Sequence, residues 1–286
     1  MSVYLKCKDF TVSNEVFELK KHKEFDMLFT SPQPLTEDLG AYYKSEKYIS
    51  HTDASDHFID KVYQMVKKIA IKSKVKSIKT YKKESKNLLD VGCGTGEFLL
   101  ACKNDGWNVV GVEPNPAAKT LTISKIKNKN IVFDSLEAVK KASVNKKFDV
   151  ITMWHVLEHV PNLVETIKTL SGLLSENGIL LIAVPNFKSF DAVYYKEYWA
   201  AFDVPRHLWH FSRTAIESLF MKEGMFLSKY RPMWFDSFYV SMLSETHKRG
   251  KSNLLMAFII GFYSNLKGVF TKEVSSIIYF LEKKEV

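Results

Sequence analysis

Asn87-Leu88-Leu89-Asp90-Val91-Gly92-Cys93-Gly94-Thr95-Gly96-Glu97 decides the fold. An apolar run ends in an acid, opens into three glycines two residues apart, and continues as a helix. Glycines at this spacing let the backbone turn sharply and let a ligand lie against bare main chain. The following helix directs free N–H groups back at the turn. A dinucleotide fingerprint, Gly-x-Gly-x-x-Gly, fails in both frames, because the third position falls on Glu97 or Leu99. A phosphate-cradling loop needs Gly-Lys-Ser/Thr, and none follows. An acid just before the turn repels a pyrophosphate and pairs with an ammonium group, which favours a cationic cofactor.

The pattern continues outward. Trp107 to Glu113 is a second apolar strand ending in an acid. Asn130 to Ser135 is a third, ending at Asp134. Phe148 to Trp154 is a fourth, leading into His155-Val156-Leu157-Glu158-His159. A plain strand–helix connection does not account for four successive strand ends carrying polar groups. Together these segments resemble the class I S-adenosylmethionine-dependent methyltransferases, in particular a bacterial subset similar to the ubiquinone-pathway enzymes. The resemblance implies an α/β Rossmann-like fold: a seven-stranded mixed sheet with helices on both faces, an N-terminal extension and a helical insertion before the last strand. It implies S-adenosyl-L-methionine as cofactor and S-adenosyl-L-homocysteine as product. The loop Asp90, Gly92, Cys93, Gly94, Thr95 and Gly96 would pass against the methionine part. Glu113, followed by Pro114, would accept the ribose hydroxyls. Asp134 and Ser135 would sit near the adenine, and His155 would border the cofactor.

At 286 residues with 46% hydrophobic content, the chain can form one large α/β domain with additions. Three cysteines (Cys7, Cys93, Cys102) without a Cys-x-x-Cys give neither a disulfide framework nor a zinc knuckle. The start lacks a signal-peptide core, and a cytoplasmic protein without a membrane span is expected. The net charge of +9 is mostly lysine, with only Arg206, Arg213, Arg231 and Arg249 as arginines. Arginine is the better residue for bidentate phosphate and base contacts, so a nucleic-acid partner is not expected. The lysines between Lys61 and Lys86 read as a solvated helix face.

The chain divides into an N-terminal segment (1–55), a basic leading helix (56–86) and the methyltransferase domain (87–286). The first contains Ser31-Pro32-Gln33-Pro34 and Tyr42, Tyr43 and Tyr48; it can serve as a cap, a partner surface or a remnant module. The helix is apolar at Phe58, Val62, Met65, Val66 and Ile69. Further strands are predicted over Gly178–Val184, Met225–Trp234 and Ser275–Leu281, with a helix from Arg213 to Lys222 capped by Ser212 and stopped at Gly224. The insertion at about 236–273 holds Leu254 to Tyr263, an apolar run read as too short to span a bilayer. It suits a helix packed on the domain, a homodimer contact or a wall of the acceptor pocket.

The acceptor site is expected in the aromatic connection 187–213, beyond the carboxyl end of the fifth strand, where it would act as a lid over a small aromatic or lipid-like acceptor. Candidate acceptor-binding residues are Glu158, Asn186, Tyr198, Trp199, Arg206 and His210. Candidate catalytic residues are His159, His207, His155 and Arg206, the histidines because their ordinary pKa suits proton removal near neutrality. Each histidine can equally be a core or capping residue. On a helix, His155, Glu158 and His159 would share a face, resembling the Glu-x-x-Glu-His metal cluster of small-RNA 2′-O-methyltransferases. His155 replaces the first glutamate of that pattern, and no metal is assigned. Methylation of RNA or protein, or binding of the cofactor without catalysis, are the alternative functions.

Overall fold

The computed structural model describes residues 1–43, 57–79, 81, 86–143 and 146–283, with side chains in 57–79 described from residue 68 onward. Three antiparallel strands open the chain: β1 (Val3–Lys8), β2 (Val16–Lys21) and β3 (Met27–Ser31). The helix α1 (His57–Lys79) leads into β4 (Asn87–Val91), α2 (Glu97–Asn104), β5 (Asn108–Val112), α3 (Pro116–Ile126), β6 (Val132–Phe133) and α4 (Leu136–Ala142). Then come β7 (Phe148–Trp154), α5 (Leu163–Leu173), β8 (Leu174–Pro185), α6 (Phe190–Tyr195) and β9 (Trp209–Phe211). The chain ends with α7 (Arg213–Met221), β10 (Met225–Pro232), α8 (Asp236–Arg249), α9 (Leu254–Thr271) and β11 (Ser276–Lys283).

The large sheet has seven strands in the order β10-β11-β8-β7-β4-β5-β6. Strands β4 to β8 are parallel, and β11 runs antiparallel between β8 and β10. The order reverses beside β4, so the turn after β4 opens into the crevice where α/β sheets bind ligands. Alternation along the strands sorts the core into two faces. Leu89, Ile151, Leu180 and Tyr279 point to one, and Leu88, Val150, Leu181 and Phe280 to the other.

Strand boundaries in this half follow the apolar runs closely. The third strand is shorter than its run, since Lys129–Ile131 form a 3-10 turn before β6. Ser212 caps α7 by accepting from the Ala215 N–H, and Gly224 follows the helix with φ of +71°. Helix α1 is present, but its buried face is Val75 and Ile78, whereas Ile69 is exposed. Phe58, Val62, Met65 and Val66, and also Tyr48, lie outside the residues whose side chains are described.

The N-terminal strands are not a separate cap. They form a second sheet, β1-β2-β3-β9, whose last strand comes from the connection after β8. The space between this sheet and that connection is filled by Phe17, Leu19, Leu28, Tyr195, Trp199 and Phe202. The connection expected as a lid, 187–213, is here packed as core against this sheet. The insertion is a helical hairpin, α8 and α9. Helix α9 has 18 residues, so the sequence count from Leu254 to Tyr263 stops short. By length and composition this helix is long and apolar enough to cross a membrane, yet 28% of it is buried inside the fold.

Candidate active site

The turn between β4 and α2 is built for close approach. Gly92, Gly94 and Gly96 take φ of +71°, +57° and +81°, the left-handed region that side chains disfavour. A Cβ on Gly92 would collide with Val156 at the end of β7. The N–H groups of Gly92 and Cys93 both donate to Val112 O, at 2.8 and 2.9 Å, which seats the turn on β5. Helix α3 grips it from outside: Thr122 Oγ1 donates to Gly94 O and Lys125 Nζ to Thr95 O. Thr95 itself donates to Glu97. Cys93 is buried, with its sulfur packed against Gly111, and burial pushes the thiol up.

Two acids lie beneath this turn. Glu113 accepts from Gly94 N and Asn115 N, both at 2.8 Å, and burial raises its pKa against those donors. Asp90 is buried and accepts from Thr152 Oγ1 at 2.7 Å. Burial raises its pKa to about 7, opposed by Thr152 and the charge of Lys74. Lys74 is a site residue that the sequence reading passes over. It belongs to the lysines taken as a solvated face, but its ammonium sits 4.6 Å from the Trp154 ring centroid. Its burial lowers its pKa, opposed by Asp90 and Asp236. Asp134 and Ser135 are turned otherwise: Asp134 is exposed and holds Lys119 at 2.6 Å, and Ser135 caps α4. Pro114 is exposed.

A second polar group lies at the end of β7. Leu157–His159 form a 3-10 turn and His155 has φ of +56°, so the helical face shared by His155, Glu158 and His159 does not exist. His155 turns toward the insertion, with Nε2 3.2 Å from Asp236 and Nδ1 3.4 Å from Glu158. Burial works to lower its pKa, but the two carboxylates overcome it and raise it to about 9. His155 is therefore an imidazolium at neutral pH. His159 is the reverse: burial and the charge of His207 lower it to about 4. Its Nδ1 lies 3.0 Å from both Tyr43 Oη and Arg206 O. If that nitrogen carries the proton for Arg206 O, Nε2 is left as the basic atom.

Glu158 is buried, and its one close charged neighbour among the described residues is His155, 3.4 Å from Oε1. Donor atoms of Glu158, His159 and His207 all lie within 4.8 Å of one another. His207 Nδ1 is 2.8 Å from Ala201 O.

A family model described as "Methyltransferase domain" matches residues 63–227, which include the glycine turn and this polar group. The chain belongs to that methyltransferase family. The ubiquinone biosynthesis O-methyltransferase of Histophilus somni is 32% identical over 117 residues, covering 38% of this chain and 49% of that protein. Its counterpart in Pelagibacter ubique is 34% identical over 125 residues, covering 43% and 49%. The chain thus spans about half the length of the curated relatives it matches. Among solved structures, magnesium protoporphyrin IX methyltransferase from Synechocystis aligns with a TM-score of 0.53 at 14% identity, over 85% of this chain and 97% of that one. A cyclopropane synthase from Mycobacterium tuberculosis aligns at 0.54 and 15% identity, over 89% and 100%. These likenesses establish the α/β methyltransferase fold with its seven-stranded mixed sheet.

Several residues expected at the acceptor serve the methyltransferase's own structure. Arg206 is buried, its guanidinium gripping Asp203 through Nε and Nη2 and reaching Asp9 at 2.9 Å and Tyr42 O at 3.1 Å. All its donors face protein groups, so it is a structural keystone. Trp199 is buried with its indole N–H on Asp191 at 2.8 Å. His210 is buried against Thr30, and burial holds its pKa far down. Asn186 is buried and donates to Glu273 at 2.6 Å and to Val274 O. Tyr198 is half-buried beside Phe10. Tyr43 and Asp236, which do reach the histidines, come from the N-terminal segment and the insertion. Neither carries a local motif; only the tertiary fold reveals them.

Proposed function

We propose that this methyltransferase transfers the methyl group of S-adenosylmethionine to a hydroxyl of a small aromatic or lipid-like acceptor. The observation that carries the cofactor assignment is the left-handed glycine turn with Glu113 and Asp90 held beneath it. Glu113 is suited to the ribose hydroxyls and Asp90 to the cofactor's ammonium, with Lys74 available for its carboxylate. The sulfonium methyl is already activated, so the protein's task is to align the acceptor oxygen in line with the methyl–sulfur bond. Neutral His159 and ionised Glu158 are the groups suited to receiving the acceptor's proton. His155, charged and fixed between two acids, holds the insertion against the site. The names of the curated relatives support an oxygen acceptor on a quinone-like ring.

Calorimetric titration with S-adenosylmethionine and S-adenosylhomocysteine tests the cofactor. Transfer from methyl-labelled cofactor to catechols and to prenylated phenols tests the acceptor. Failure of both nucleosides to bind a folded, cofactor-free sample refutes the reading. A second reading rests on the grouping of Glu158, His159 and His207, whose ligand atoms lie within 4.8 Å of one another and make a donor set suited to a divalent transition ion. Loss of turnover on chelation, restored by one metal, would select it.

A further inference from the structure

Helix α9 is built inside out for a soluble hairpin. Its inward face carries Ala257, Gly261, Ser264 and Gly268, all buried. A Cβ on Gly261 would press on Phe238 of α8, and one on Gly268 on Val274. Ser264 donates to the buried Asp191 at 2.6 Å. Small residues therefore lock this face onto the body. Apart from Ile260, which is buried, and Met256, which packs on the core, the large residues point the other way: Leu255, Phe258, Ile259, Phe262, Leu266 and Phe270 follow helical spacing and are exposed, Leu255 at 70% and Phe270 at 78%. Trp234, Phe235 and Tyr239, at the base of α8, are exposed as well. From Leu255 to Phe270 this stripe is about 23 Å long. Contiguous apolar surface on that scale marks an interaction site.

Charge identifies the occupant. Residues 246–272 contain Lys248, Arg249, Lys251, Lys267 and Lys272 and no aspartate or glutamate. All five are exposed, three at the amino end of α9, where Arg249 is paired with the buried Glu245, and two toward its carboxyl end. An apolar stripe flanked by cations at both ends matches the boundary between headgroups and acyl chains of an anionic bilayer. A second copy of the hairpin is a poorer fit, because pairing brings Lys248 and Lys251 onto the same cations or onto Lys267 and Lys272, and Glu245 is already taken by Arg249. Spanning is opposed by the locked inner face. We infer that α9 docks the protein flat on an anionic lipid surface. The root of the hairpin, Asp236, contacts His155, so docking anchors the acceptor end of the sheet at the membrane. That it serves delivery of the acceptor rests on the lipid-like acceptor proposed above; docking itself does not.

The test is co-sedimentation of the full chain with phosphatidylcholine vesicles, with and without phosphatidylglycerol. S-adenosylhomocysteine titration provides an independent check of the folded site. Wild type should bind the phosphatidylglycerol vesicles. Phe258→Glu/Phe262→Glu should weaken that binding by about tenfold or more, since two buried phenyl groups are lost. Lys251→Glu/Lys272→Glu should weaken it several-fold and do so less at high salt. Both variants should keep wild-type affinity for the nucleoside. Absence of wild-type vesicle binding, or binding that survives the phenylalanine changes, overturns the proposal. So does a dimer that those changes split while wild type ignores vesicles. Vesicle binding in a protein that fails to bind S-adenosylhomocysteine supports docking and removes the cofactor reading instead.

Discussion

Two clusters of charge adjoin the β7–α5 turn, one at His159 and one at Val156, and they differ in what remains for a ligand. Around Arg206, every charge is answered. Asp203 accepts through both oxygens, and Asp9 accepts from Arg206 and from the N–H groups of Thr11, Val12 and Ser13. Burial works to raise both carboxyls, yet Arg206 holds Asp203 low, and with those backbone donors holds Asp9 at about 2. Under the glycine turn, burial wins and both acids are raised. The first cluster is complete without a ligand. The second has charges whose compensation is only partial, as a site awaiting a charged ligand requires. Residue type does not separate a keystone from a binding group; the number of partners does.

Removing the keystone should produce the largest effect. Arg206→Met leaves two acids facing each other without their cation, which costs about 3–5 kcal/mol. Thermal unfolding should fall by roughly 10 °C. Titration of the folded variant at low temperature should return wild-type affinity for S-adenosylhomocysteine. An unchanged melting temperature with lost turnover would instead move Arg206 into the acceptor machinery. Glu113→Ala should do the opposite. Losing charge-assisted bonds to the ribose should weaken nucleoside binding by about ten- to a hundredfold, while the donors stranded at Gly94 and Asn115 lower the melting temperature less than Arg206→Met does. If the melting temperature falls and nucleoside affinity does not, Glu113 holds the turn and not the ligand.

The same contrast explains what could be read in advance. The glycine turn, its acid and the acid seventeen residues on form a local code, since a left-handed turn needs glycine and a strand end fixes the position of its carboxylate. The large sheet was legible for the same reason: buried parallel strands appear as continuous apolar runs. The acceptor side was not. Pro205-Arg206-His207-Leu208 has the composition of a site, but Arg206 is turned inward by Asp9, nearly two hundred residues away. The N-terminal sheet was hidden because β9 has three residues and becomes a strand only beside β3. Helical spacing could not distinguish Lys74 from its solvated neighbours, because Trp154 and Asp90 arrive from other strands. Lys74→Met, which keeps the apolar stem, should weaken nucleoside binding several-fold in calorimetry. An unaltered affinity would leave Lys74 as a neutralising charge for Asp90 alone.

The mildest test changes no residue. Asp90 titrates at about 7 in the free protein, raised by burial. A bound ammonium group stabilises its carboxylate, so binding below pH 7 must first release a proton. Affinity for S-adenosylhomocysteine, whose amino group stays protonated over this range, should therefore rise from pH 6 to pH 8 and then level. The rise should approach tenfold, since one pH unit below the pKa leaves about a tenth of the group ionised. Calorimetry below pH 7 should also register proton release that depends on the buffer's ionisation enthalpy. Burial raises Glu113 as well, so Asp90→Asn is the discriminating variant. It should bind more weakly at pH 8 and lose most of the pH dependence. A slope that persists in Asp90→Asn would transfer the ammonium partner to Glu113 and leave Asp90 as a buried support for Thr152.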